Sequence, residues 1–220
     1  VLDLEPVYVW ATDGGSLQGV LPLVAMPNVL HRPALLSMPY LSYGGPAGAV
    51  RVHDPLLDAA VREARERGAT LLEVRSRRPP GGELAPGRDK VAVVLDLPSE
   101  PRVLFEDRFR SKLRSQIRRP MKEGMDTRFG PDQRKAFYGV FARNMRDLGT
   151  PVLPASLFEE MARVFPEEVD FGVVYHEGQA VAAGCGFHFQ GEFEMTWASS
   201  LREFNRQSPN MLLYLSLIHI

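Results

Sequence analysis

The chain has 220 residues, of which 26 are basic and 27 acidic, so its formal net charge is −1. Hydrophobic residues make up 45% and charged residues 24%, a composition typical of folded globular domains rather than of disordered or fibrous chains. The near-zero charge argues against a protein whose whole surface binds nucleic acid. No apolar run reaches the roughly 20 residues that span a bilayer. The length predicts one or two domains.

The first hundred residues predict strands around one helix. Two alternating apolar runs, 7–11 and 17–26, flank the turn residues Asp13-Gly14-Gly15-Ser16 and predict a hairpin. Asp54-Pro55 predicts the start of a helix that ends at Gly68. The pattern then predicts strands at 70–75 and 91–97, separated by a loop at 77–88 that is rich in proline and glycine.

The rest of the chain predicts four helices and three strands. Within 103–119, Phe105, Phe109, Leu113 and Ile117 recur every four residues, which indicates one helix that Pro120 terminates. Ser208-Pro209-Asn210 predicts an N-cap and first-turn proline for the last helix. The elements between them are helices at 132–147 and 155–165 and strands at 170–175, 180–189 and 192–199.

One pattern occurs twice. The stretch from Gly14 to Gly19 resembles the stretch from Gly178 to Ala183, each following a strand and a tight turn. This repeat indicates two related units, although strand-turn-strand patterns are common enough for a chance match. We therefore predict an α/β (α+β) fold with mixed sheets flanked by helices. Its predicted parts are a first unit at 1–100, a basic connecting helix and linker at 101–131, and a second unit at 132–220.

Seven basic residues and no acidic one lie between Arg108 and Lys122. A solvated helix face is one interpretation, but such faces usually carry pairs of opposite charge. A run of one sign favours an anionic partner such as a phosphate, a nucleotide or RNA. The candidate phosphate ligands are Arg114, Arg118 and Arg119, because a guanidinium donates two hydrogen bonds to a phosphate at once.

Two further segments are candidate binding sites. Tyr43 precedes Gly44-Gly45 and offers a hydroxyl group beside a backbone that glycine leaves accessible, although a tightly packed turn explains the pattern equally well. Asn210 lies at the start of the last helix, where free N–H groups attract anionic or carbonyl groups. Trp197, in the strand before it, fits a core position better than a site.

Covalent and metal chemistry have little support. The single cysteine, Cys185, lies in the apolar stretch 182–187, which is typical of a buried thiol rather than a nucleophile. The five histidines are dispersed and lack the spacing of a zinc helix, so no metal site is predicted. No nucleophile elbow or phosphate-binding loop is present either, and the pattern identifies no catalytic residue. The histidines are His31, His53, His176, His188 and His219.

An ordered set of motifs resembles FemAB-like proteins of the GNAT-like acyltransferase superfamily, especially the branch associated with exosortases. The resemblance extends along nearly the whole chain, and no single motif decides it. The motifs are Gly19-Val20-Leu21-Pro22-Leu23, Tyr43-Gly44-Gly45, the segment 115–124, the segment 145–151, Trp197-Ala198-Ser199, and the segment 209–214.

The resemblance implies two tandem GNAT-like units and transfer of an acyl or aminoacyl group to an amine of a cell-envelope precursor, in the cytoplasm. It implies charged tRNA or a nucleotide-linked precursor as partner, bound by the basic helix, with Tyr43 and Asn210 lining the acceptor or carbonyl site. It implies no cofactor. Members of this fold commonly join amine and acyl carbonyl without a covalent enzyme intermediate, so the missing nucleophile is no contradiction.

Two departures from the family pattern qualify this reading. Acetyl-CoA users carry a glycine-rich pyrophosphate loop between a strand and a helix, whereas the equivalent segment 201–210 contains no glycine. Aminoacyl-tRNA is therefore the expected donor, with acyl-CoA as the alternative. The chain also begins with Val1 and stops inside an apolar helix, and residues 216–220 resemble translated sequencing-adapter sequence. We expect a fragment with a truncated second unit, inactive by itself. A non-catalytic module that binds RNA or an anionic polysaccharide is the alternative from another class.

Overall fold

The computed structural model describes residues 2–27, 33–77, 84–87 and 91–218. Most of the predicted loop at 77–88, as well as His31 and His219, lies outside these residues. The chain divides into two compact units, Leu2–Val93 and Val94–Ile220, here called the N-terminal and C-terminal units. Within the described residues, no helix combines the length and apolar character needed to cross a membrane.

The N-terminal unit is a five-stranded sheet with one helix packed on it. Its elements are β1 Glu5–Asp13, β2 Ser16–Met26, β3 Ala34–Leu36, β4 Ala47–Gly48, α1 His53–Glu66 and β5 Leu71–Glu73. The strand order is β1-β2-β3-β5, with β4 pairing along part of β2. Strands β3 and β5 run parallel and the other pairs antiparallel. Helix α1 buries Leu56 and Ala60 against Leu21, Leu23 and Leu35 of the sheet.

The C-terminal unit contains an antiparallel sheet of four strands with helices around it. It begins with a short helical segment, α2 Pro101–Val103, continued by a π-helical turn, Leu104–Arg108. The following elements are α3 Ser111–Lys122, β6 Asp126–Phe129, α4 Arg134–Leu148, α5 Ala155–Val164, β7 Val169–His176, β8 Gln179–Phe189, β9 Glu192–Ser200, a 3-10 turn Arg202–Gln207, and α6 Pro209–Leu217. The strand order in the sheet is β6-β7-β8-β9.

Helices cover both faces of this second sheet. On one face, Phe137 of α4 and Phe158 of α5 pack against Phe171 and Val173 of β7. On the other face, Leu213 of α6 packs against the alternate residues of the same strands. Helix α3 in turn packs against α6 and against the 3-10 turn that precedes it. The predicted mixed α/β fold, with two sheets flanked by helices, is confirmed.

Two predicted elements are wrong. Residues 91–97 form no strand: they are irregular, and Val91 and Val93 are almost completely exposed. The predicted helix 103–119 is interrupted at Phe109 and Arg110, which adopt extended backbone conformations between the π-helical turn and α3. Pro120 does not end α3, which continues to Lys122. A proline this close to the C-terminus of a helix removes only one intrahelical hydrogen bond.

The two hairpins of the predicted repeat have the same type of turn and a β-bulge at the same distance from it. Each has a two-residue turn with positive φ at both positions, 53° and 83° at Gly14 and Gly15, and 49° and 80° at Glu177 and Gly178. This is the type I′ geometry whose twist matches antiparallel strands. Each also has a β-bulge after the second residue pair. Gly15 therefore corresponds to Gly178, one residue away from the sequence-based match of Gly14 with Gly178.

Candidate functional site

Strand β9 carries a bulge in the middle of its pairing with β8. Cys185 is paired with Trp197 and Gly186 with Met195, so Thr196 has no partner on β8. The Thr196 hydroxyl oxygen is buried and makes no hydrogen bond within the described residues. Trp197 stands edge-on to Phe158 with ring centres 5.2 Å apart, as expected for a residue of the core. A bulge redirects side chains locally and is over-represented beside active sites.

The carboxyl end of β9 leads into a polar segment before α6. Buried Ser199 accepts a hydrogen bond from the Asn144 amide at 3.2 Å, and Ser200 donates to the Asn205 side chain at 3.2 Å. Arg143 of α4 forms an ion pair with Glu203 of the 3-10 turn at 2.7 Å. These contacts fix the path of the chain from the sheet to α6.

Helix α6 starts at the predicted position but without the predicted side-chain cap. Ser208 adopts the left-handed conformation, with φ 58° and ψ 47°, and its hydroxyl makes no capping hydrogen bond. Pro209 occupies the first turn and is buried. Asn210 follows, half-buried, among the first-turn residues whose N–H groups have no partner inside the helix.

The three candidate arginines of α3 differ in their contacts. Arg114 donates from Nη1 to the carbonyl oxygens of Glu106 and Phe109, at 2.7 and 2.8 Å. It thereby ties α3 to the π-helical turn before it, which is a structural role that the sequence did not predict. Arg118 is exposed, with its guanidinium carbon 5.1 Å from the centre of the Phe105 ring.

Arg119 is exposed and pairs with an acidic residue outside the basic run. Its Nε atom lies 3.1 Å from Glu123, one helical turn further on. An exposed pair of this kind contributes about 0.3–0.5 kcal/mol, so an incoming phosphate can displace it at little cost. Since α3 contacts α6 and the 3-10 turn, the structure brings the basic helix and the helix carrying Asn210 together within the C-terminal unit.

Tyr43 belongs to the N-terminal unit, in a loop bound to the chain after β5. Arg77 lies over its ring at 4.3 Å, and the Gly44 N–H donates to the Arg75 carbonyl at 2.9 Å. A Cβ on Gly44 would come within 2.5 Å of the Met38 side chain. Close packing therefore accounts for this glycine, while Tyr43 remains a predicted ligand contact.

The sequence missed a histidine–carboxylate pair in the C-terminal sheet. His188 Nδ1 and Asp170 Oδ2 are 2.8 Å apart on neighbouring strands, whereas the sequence analysis assigned no role to His188 and predicted only that the dispersed histidines form no metal site. The pair lies beside the β8–β9 turn, at the end of β9 opposite to the segment that leads into α6. Only the strand register brings residues 170 and 188 together, so spacing along the chain carried no signal for it.

Cys185 is completely buried in β8. Burial raises the pKa of its thiol, and the nearby Asp170 carboxylate acts in the same direction. The thiolate is the reactive form of cysteine, so this side chain is suited to packing and not to nucleophilic attack. No group of three histidine, cysteine, aspartate or glutamate side chains in the described ranges is arranged to hold a metal ion.

We expect the Cys185 thiol to be protected in the folded protein. At pH 8, its reaction with a disulfide reagent should be roughly 100-fold slower in native protein than in urea, because reaction requires local opening as well as ionisation. The measurement is the absorbance of the released thiol over time. Equal rates in the two conditions would show an accessible thiolate. The chain has no other cysteine, so the signal comes from this residue alone.

The C-terminal unit matches a family model. Residues 107–219 match the acetyltransferase (GNAT) domain, which amounts to 113 of the 220 residues. No curated protein sequence matches the chain.

Two solved structures have the same fold. A crystal structure of FemX superposes with a TM-score of 0.59 at 12% identity, covering 98% of this chain and 76% of FemX. The C-terminal domain (DUF2156) of a lysylphosphatidylglycerol synthetase from Agrobacterium fabrum gives 0.57 at 12% identity, covering 92% of this chain and 63% of that one. The present chain is thus shorter than both of these structures.

Proposed function

The chain belongs to the acetyltransferase (GNAT) domain family, and from that membership we propose that it transfers an aminoacyl or other acyl group to an amine of a cell-envelope precursor. The observation that carries the proposal is the GNAT match over the unit that contains the basic helix and α6. The fold shared with FemX and the ordered motifs of the sequence support a FemAB-like protein, with the exosortase-associated branch as the finer proposal.

The proposed reaction needs no nucleophile from the protein. The acceptor nitrogen attacks the acyl carbonyl, a C–N bond forms, and the ester bond to the tRNA ribose breaks. The proton lost by the amine ends on the departing ribose oxygen. The protein contributes by holding the two reactants together and by stabilising charge on the carbonyl oxygen. The deeply buried Cys185 agrees with this scheme, since it gives no support to a covalent intermediate.

We assign the anionic partner to the exposed side of α3. Its proposed phosphate ligands are Arg118 and Arg119, which are exposed, together with Arg114. Arg114 has a structural role in addition, because it donates to two backbone carbonyl oxygens and thereby fixes the start of the helix. Asn210, in the helix on which α3 packs, is proposed to contact the acyl carbonyl. Tyr43, in the N-terminal unit, is proposed to contact the acceptor. The proposed place of action is the cytoplasm, where charged tRNA is found.

The test is binding of charged tRNA to the complete gene product across a salt series. Replacing both Arg118 and Arg119 by alanine should weaken binding and lower the magnitude of the slope of log K against log salt by about 1.4–1.8, since each lost phosphate contact contributes roughly 0.7–0.9. The matched control replaces Arg134 and Lys135, which lie on α4 at the other face of the sheet, and should leave the slope unchanged. Equal effects of the two double variants would contradict the assignment to α3.

Acyl-CoA is the alternative donor, and acetyl-CoA as a competitor tests it. Displacement of tRNA by acetyl-CoA, or protection of the protein by acetyl-CoA without any tRNA binding, would favour a CoA-dependent N-acyltransferase. The segment 201–210, which lacks glycine, favours the tRNA donor. Anion binding without acyl transfer to any amine would favour the non-catalytic alternative, a module for RNA or an anionic polysaccharide.

A further inference from the structure

The segment that precedes the basic helix is apolar but lies outside the core of the C-terminal unit. Val94 is 68% exposed, and Leu95 and Leu97 are each 51% exposed. None of these three residues belongs to a core cluster of the described part of the chain. Exposed aliphatic side chains that follow one another in the chain are typical of an interaction surface.

A hydrogen bond joins this segment to the start of the basic run. Arg108 donates from Nη1 to the carbonyl oxygen of Asp96 at 3.2 Å, so the first guanidinium of the run lies against the backbone of the apolar segment. Further along the run, Arg110 and Lys112 are exposed, and neither side chain forms an ion pair with any described residue. We call this region the basic–apolar surface, which consists of Val94, Leu95, Leu97, Arg108, Arg110 and Lys112.

The charge around the basic–apolar surface is positive. Residues 94–122 contain eight basic and four acidic side chains, whereas the whole chain carries a net charge of −1. Among the four acidic side chains, Glu106 is already paired with Arg102, with 3.0 Å between Oε1 and Nε. An anionic partner is therefore attracted to this part of the molecule and not to the protein as a whole.

We propose that the basic–apolar surface binds an anionic lipid bilayer. The aliphatic side chains enter the boundary between headgroups and acyl chains, and the three cations contact anionic headgroups. The aliphatic side chains decide against RNA as the occupant, because proteins hold RNA bases by stacking aromatic or guanidinium groups on them. Lys112 precedes Arg119 by about two helical turns, so the proposed tRNA ligands lie further along the helix. Binding to a bilayer does not depend on the proposed acyl transfer.

Co-sedimentation of the 220-residue polypeptide with vesicles tests the binding. Vesicles of phosphatidylcholine with phosphatidylglycerol should bind it roughly ten-fold more tightly, or better, than vesicles of phosphatidylcholine alone, since each basic residue near an anionic surface strengthens binding about five-fold. Replacing Arg110 and Lys112 by glutamine should therefore weaken binding to the mixed vesicles about 25-fold. The control replaces Arg134 and Lys135 of α4 by glutamine and should leave the binding unchanged. Equal binding to the two kinds of vesicle, or binding to neither, would overturn the proposal.

Replacing the aliphatic side chains separates a bilayer from other polyanions. Leu95→Ser combined with Leu97→Ser should weaken binding to the mixed vesicles roughly ten-fold or more, because the apolar contact with the acyl chains is lost. The control is Leu148→Ser combined with Val152→Ser, at positions that are 56% and 37% exposed. Unchanged vesicle binding by the leucine variant would overturn the bilayer assignment, and displacement of vesicles by tRNA from that variant would then identify a general polyanion site.

A fluorescence measurement shows whether the segment enters the bilayer. In a Trp10→Phe background, Leu95→Trp should give emission that shifts to shorter wavelength when mixed vesicles are added and that brominated acyl chains quench. The remaining tryptophan, Trp197, packs edge-on to Phe158 and supplies a constant background. Leu148→Trp, at a position of similar exposure on α4, is the matched control. Emission from position 95 that stays unshifted and unquenched would contradict insertion even if the polypeptide sedimented with the vesicles.

Discussion

Replacing Phe137 by alanine is expected to destabilise the C-terminal unit by about 3–5 kcal/mol, the usual cost of removing a buried phenylalanine ring. The Phe137 side chain is completely buried and stands at the centre of an aromatic cluster. Its ring centre is 5.0 Å from that of Phe158, 5.5 Å from Phe171 and 5.7 Å from Phe141. The substitution therefore removes contacts that join α4, α5 and β7.

Trp197 offers a way to follow this unit separately. Its ring packs edge-on to Phe158 in the same cluster, and the only other tryptophan of the chain is Trp10. In a Trp10→Phe background, tryptophan fluorescence during urea unfolding reports on the C-terminal unit alone. Phe189→Ala, at an exposed position of β8, is the control and should change stability by less than about 0.5 kcal/mol. If Phe137→Ala lowered the free energy of unfolding by less than about 1 kcal/mol, the aromatic cluster would not be a main source of the stability of this unit.

Local patterns predicted most helices and strands of the C-terminal unit because their signals lie within a few residues. The continuous apolar run of β8, the turn at Glu177-Gly178 and the break at Gly149 each depend on neighbouring side chains and backbone. The strand predicted at 91–97 was wrong because a strand is stabilised by pairing with a neighbouring strand. The apolar pattern of a segment does not show whether such a neighbour exists. Strand β6 was missed because four residues, Asp126–Phe129, are too few to display a pattern.

The site was predictable in its residue types but not in its contacts. A run of basic residues identified α3. The sequence could not show, however, that the Arg114 side chain donates to carbonyl oxygens eight and five residues before it, or that Arg119 pairs with Glu123. The packing of α3 on α6 and the pairing of His188 with Asp170 are tertiary contacts. They depend on strand register and helix packing, which cannot be inferred from a single sequence when the fold is unknown.

Replacing Gly186 by alanine is expected to disturb the pairing of β8 with β9 and to destabilise the C-terminal unit by about 1–3 kcal/mol, the range of overpacking a filled site. A Cβ at this position would lie 2.3 Å from the carbonyl oxygen of Glu194 and 2.6 Å from the Phe193 ring. The ring can rotate away, but the carbonyl is part of the β9 backbone. Relief therefore requires β9 to move beside the bulge at Thr196.

Because β9 leads through the 3-10 turn into α6, this shift should also weaken ligand binding near Asn210. The control is Gly139→Ala: Gly139 lies inside α4 with no atom within 4 Å of its added Cβ, so alanine should be neutral or stabilise by up to about 1 kcal/mol. The two variants add the same methyl group to the same unit, and urea unfolding followed by Trp197 fluorescence compares them. If Gly186→Ala were as stable as Gly139→Ala, β9 would be free to move at the bulge, and its register would not position the site.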